Sequence, residues 1–89
     1  MNLDQVRDIE ARVYDNMGEH SQFVIDLVQN AESELNKSEE DGPVNKDDIG
    51  AIQYEIGIAL DIFDPKRKYD IRVLKDLDSV LSKWSETLN

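Results

Sequence analysis

The chain has 89 residues, 39% hydrophobic and 34% charged, which is enough for one domain with a single modest core. Twenty Asp and Glu against ten Lys and Arg give a net charge of −10, which disfavours a phosphate-backbone ligand and favours a basic partner. The lack of cysteine excludes disulfides and thiolate metal sites, and no apolar run approaches the roughly 18 residues of a membrane span.

The opening Met1-Asn2-Leu3-Asp4 has neither the basic nor the apolar stretch of a signal peptide, so a cytoplasmic location is expected. Leu3, Val6, Ile9 (or Glu10), Val13 and Met17 recur every three or four residues and predict a first helix over 3–17, with Gly18 as its stop. A second helix is predicted over 21–36, with Ser21 as cap (or His20 as its start) and Phe23, Val24, Leu27, Val28, Ala31 and Leu35 on its apolar face. Residues 37–44, KSEEDGPV, read as a charged loop broken at Gly42-Pro43.

A third helix starts at Asn45 or Asp47 and faces the core with Ile49, Ile52, Ile56, Ala59, Leu60 and Phe63. A second apolar set, Ala51, Ile58 and Ile62, is expected to widen that stripe and make this the most buried helix. Asp64-Pro65 ends it, because a residue before proline avoids the helical region. After the basic turn Lys66-Arg67-Lys68, a fourth helix is predicted from about Ile71 to Thr87, with Leu74, Leu77, Leu81, Trp84 and Leu88 on one seam and Val73 and Val80 beside it. Four amphipathic segments with short connections imply an all-α, single-domain, antiparallel four-helix bundle over residues 1–89.

These side chains offer little to catalysis. His20 is the only histidine, so any Ser–His–acid triad runs through it, and its setting beside Gly18 is not that of a nucleophile. No calcium-loop, di-iron or phosphate-loop pattern is complete, so neither enzyme activity, nor a metal, nor a cofactor is expected. The basic stretch Lys66–Arg72, with Tyr69 inside it, is the only cationic surface, and direct nucleic-acid binding is not expected.

Acidity is concentrated mid-chain. Residues 15–64 hold thirteen acids and two bases, net −11, whereas residues 65–89 hold four acids and six bases, net +2. Asp47, Asp48, Glu55, Asp61 and Asp64 lie on or around the third helix with Tyr54 among them, and Asp26, Glu32 and Glu34 lie on the second. Asp61 and Asp64 are three apart, which places them on one helical face as a clamp for a partner's cation.

The stretch Phe63-Asp64-Pro65, a polar turn, Tyr69-Asp70-Ile71, Leu74 and the helix from Ser79 to Trp84 resembles the colicin D-type, self-protective colicin-like immunity proteins. The likeness covers residues 54–86 by motif and residues 3–35 by pattern only, and Lys66 departs from it, standing where the colicin D inhibitor carries an acid. The resemblance implies a four-helix inhibitor that covers the basic active-site cleft of a toxin nuclease acting on tRNA, with Asp61 and Asp64 meeting the catalytic cations; a monomer is expected. Two rival readings remain open. A DNA mimic needs acids in two rows across the surface; a secretion or assembly chaperone needs Ala51, Ile58 and Ile62 facing solvent, with dimerisation.

Overall fold

The computed structural model describes residues 2–88, which contain no strand and form four helices. These are α1 (Asn2–Asp15), α2 (Gln22–Asp41), α3 (Lys46–Ile62) and α4 (Lys68–Glu86), with a single 3-10 turn at Met17–Glu19. Each helix packs on its two neighbours in the order α1, α2, α3, α4 and back to α1, with a smaller diagonal contact between α2 and α4. The longest dimension, 38 Å, matches 20-residue helices of about 30 Å lying side by side.

The antiparallel sense is fixed at both ends. At one end the Phe23 and Phe63 rings meet edge to face, 6.1 Å between centroids, and the Ser21 amide donates to Asp70. At the other, Ser38 Oγ donates to Asp48 Oδ2 at 2.6 Å and Val44 is buried beneath the α2–α3 connection. Leu35, Ile49, Ile56, Leu74, Leu77 and Leu81 are the largest apolar side chains fully removed from solvent between them. A leucine or isoleucine at such a position typically contributes about 2–5 kcal/mol against alanine.

Several predicted boundaries move. α1 stops at Asp15 rather than running to Gly18, because Asn16 Nδ2 donates back to the Arg12 carbonyl at 2.9 Å and the chain tightens into the 3-10 turn. Met17 is thereby thrown off the apolar stripe and is 47% exposed. Ser21 caps α2 by accepting the Val24 N–H, but α2 continues five residues beyond its predicted end, to Asp41. Lys, Glu and Ser need no buried face to stay helical, and the chain turns only at Gly42, whose φ of +149° disfavours any side chain. Asn45 and Asp48 form a reciprocal capping box that starts α3. α4 begins at Lys68, three residues before the predicted Ile71, since the buried Asp70 is already part of its first turn.

The expectation that α3 is the most buried helix fails. Ile49, Ile52, Ile56 and Ala59 are buried, and Leu60 and Phe63 pack partly against the core. Ala51, Ile58 and Ile62 instead face solvent, because α3 has neighbours only on the sides of α2 and α4. Phe23, predicted on the α2 core face, is 51% exposed and meets only the edge of that core through Phe63.

Candidate functional site

A helix turns 100° per residue, so Asp47, Tyr54 and Asp61, each seven apart, lie along one line of α3. Ala51 and Ile58, also seven apart, continue to Ile62 on the adjacent line, and Glu55 stands at its far edge. All seven side chains are exposed, Tyr54 by 72% and Ile62 by 70%. The outer face of α3 is therefore an apolar strip with carboxylates on both sides. Asp47, Glu55 and Asp61 carry no ion pair or hydrogen bond among the described residues, so their charge is uncommitted.

Two of the predicted site residues are not part of this face. Asp48 is half-buried toward α2, where its carboxylate accepts from Ser38 and from the Asn45 amide, so it is occupied in holding the helix start. Asp64 does not share a helical face with Asp61, because α3 has ended at Ile62 and Phe63 is already extended, at φ −75° and ψ 137°. Its side chain is exposed but accepts the Lys66 amide at 2.8 Å, and its carbonyl accepts the Arg67 amide, which together close the α3–α4 turn. Of the acids noted on α2, Glu32 is ion-paired with Arg7 at 3.0 Å and Asp26 accepts from Gln22.

A polar cluster that the sequence reading passed over lies at the same end of the bundle. Asp70 has no solvent exposure and is ringed by donors: Arg67 Nε and Nη2 on Oδ2, His20 Nδ1 at 2.9 Å on Oδ1, and the Ser21 amide bridging both oxygens. Burial pushes this carboxyl up, but hydrogen bonds from Arg67, His20 and Ser21, with the Arg67 charge, outweigh it and hold the group below the usual aspartate value. An ionised carboxylate only accepts, so His20 carries its proton on Nδ1. Ser21 Oγ accepts the Val24 amide as the cap of α2, and no hydrogen bond joins it to His20 among the described residues. The available signal was position: Asp70 lies three, four and seven residues before Val73, Leu74 and Leu77, a charge on the buried seam of its own helix. Its distant partners, His20 and Ser21, leave no such mark.

No group of His, Asp and Glu with metal-holding geometry occurs among the described residues, and no described helix is long and apolar enough to cross a membrane. No family model matches this chain, and no curated protein or solved structure does so either.

Proposed function

We propose that this chain is a protein-binding inhibitor of the immunity type, which docks the outer face of α3 on the cationic active-site cleft of a toxin nuclease in the cytoplasm. The observation that carries the reading is the exposed strip of Ala51, Tyr54, Ile58 and Ile62 set between Asp47, Glu55 and Asp61. An apolar centre with a charged rim is the anatomy of a specific protein interface, and the sign of the rim selects a basic partner. A nuclease cleft must be cationic to hold phosphates, so carboxylates brought to its edge occupy the places of the substrate's charges. The resemblance of residues 54–86 to colicin D-type immunity proteins agrees with this reading and extends it to a tRNA-cleaving target.

Two glycines support an interface here. Gly50 and Gly57 sit seven apart inside α3, and a Cβ added to either would meet nothing within 4 Å. Glycine in a helix interior costs about 0.5–1 kcal/mol against alanine, and nothing within the domain offsets that cost. Close approach of a partner's backbone would.

The test is co-expression with the protein encoded immediately beside it. Rescue of growth and a co-purifying complex are expected, and both should be lost in Ile62→Asp and in Glu55→Lys with Asp61→Lys, which alter only exposed side chains. Undiminished protection by these variants would overturn the docking face. The exposure of Ala51, Ile58 and Ile62 also favours a second reading, an assembly or secretion chaperone that dimerises through α3; a concentration-dependent dimer abolished by Ile62→Asp, without any toxic neighbour, would select it.

A further inference from the structure

On the other flank of the bundle, the end of α1, the 3-10 turn and the first half of α4 enclose an open cleft of about 340 Å³, lined by Arg12, Asn16, Glu19, His20, Tyr69, Arg72 and Val73. We propose that this cleft is a binding site for a phosphate group, either inorganic phosphate or a small phosphomonoester.

Three observations carry it. The first is Arg72. Arg7, Arg12 and Arg67 each pair with a carboxylate, whereas Arg72 has none among the described residues, in a chain with twice as many acids as bases. Asp76 lies four residues further along α4, where a helical ion pair would ordinarily form, yet it is taken by Arg12 from α1 at 2.8 Å. Arg72 thus keeps its planar fork of donors free at the cleft, the geometry suited to a tetrahedral oxyanion.

The second is His20. Its side chain is 5% exposed, its Nδ1 is fixed on Asp70, and Nε2 has no protein partner. No buried side-chain nitrogen is left unsatisfied among the described residues, so Nε2 keeps access to solvent on a residue that lines the cleft; with the proton on Nδ1 it is an acceptor, matched to the P–OH of a phosphate monoanion. The buried Asp70, itself held by Arg67, keeps this imidazole in one orientation, which makes it a prepared contact rather than a mobile surface ring.

The third is the balance of charge. Asp76 is paired with Arg12 and Asp70 with Arg67, which leaves Arg72 against Glu19, the one carboxylate among the lining residues, so the cleft is neutral in a chain of net charge −10. Arg12 spends only Nη2 on Asp76, so its remaining nitrogens stay available, and the Tyr69 side chain, 59% exposed, adds a hydroxyl donor. The volume is at the lower end of small-ligand clefts, about 300–1,000 Å³, with room for a phosphoryl group and a compact organic part.

As the single histidine, His20 gives an unambiguous reporter in NMR spectra. Inorganic phosphate and, in a parallel arm, ribose 5-phosphate are titrated into the protein at constant ionic strength against a chloride control. A saturable shift of the His20 ring signals is expected. Arg72→Ala should weaken it by at least about tenfold, the loss of one charged hydrogen-bonding group. Arg72→Lys should fall between, and Arg7→Ala, on the α1–α2 side, should change nothing. Tighter binding of the ester would mean that the organic part contributes; equal affinity would mean that the phosphoryl group suffices. No shift beyond the chloride control, or a shift indifferent to Arg72→Ala in a variant with an unchanged helical spectrum, would overturn the site.

Discussion

Asp70 shows how one buried charge can be afforded by a core this small. A carboxylate without solvent normally costs several kcal/mol, and here two guanidinium nitrogens, an imidazole and a backbone amide replace the lost water. Asp70→Ala is expected to destabilise the domain by about 3–5 kcal/mol, because it strands Arg67 and His20 as well as removing the acid; urea unfolding at neutral pH measures it. The sign of the pH effect follows from the lowered pKa of Asp70. The contribution of Asp70 is complete above the ordinary aspartate range near 3.9 and is lost as pH falls toward the lower folded value. Asp70→Asn should therefore be less stable at neutral pH and show a flatter decline on the acid side; an unchanged acid limb would mean that other carboxylates govern it. Asp70 itself was visible in the sequence as a charge on an apolar seam. Its partners His20 and Ser21 were not, because they lie 50 and 49 positions away and only the packing of two connections brings them together.

At the level of elements, periodicity located all four helices because each buries a stripe, and it misjudged what lies outside a stripe. The last five residues of α2, Lys37 to Asp41, carry no apolar signal, and their helicity rests on intrinsic propensity, on the Asn36–Glu40 contact one turn apart and on Ser38 reaching α3. In α3 the error ran the other way: apolar residues around most of the helix were read as burial, although a helix with neighbours on only two sides leaves some of them to solvent. That error concealed the strip that now forms the candidate docking face, while the acids flanking it were legible from charge alone. Gly57 makes the distinction measurable. Gly57→Ala should raise stability by up to about 1 kcal/mol, since its Cβ meets open space, and should at the same time weaken docking of the partner. Thermal melts and a binding titration read the two effects, and a variant that gained stability without losing affinity would separate Gly57 from the interface.

For the whole molecule, the uneven charge has a kinetic meaning. The net of −11 on residues 15–64 belongs mainly to α2 and α3, and the net of +2 on residues 65–89 to Lys66 and Arg67 of the turn, since α4 holds four acids and four bases. A cationic partner of the proposed kind would be drawn to the first region before contact, so association should slow steeply as salt shortens the range of the field, while dissociation changes far less. Stopped-flow association from low to high ionic strength tests this, and a flat rate would remove electrostatic steering from the account.

The donors around Asp70 come from both halves of the chain, His20 and Ser21 from the α1–α2 hairpin and Arg67 from the α3–α4 hairpin. Neither hairpin alone can cover that carboxylate, and each alone would expose an apolar seam as well. The two are then expected to form and melt together, in one cooperative transition with no half-folded state that keeps α3 intact.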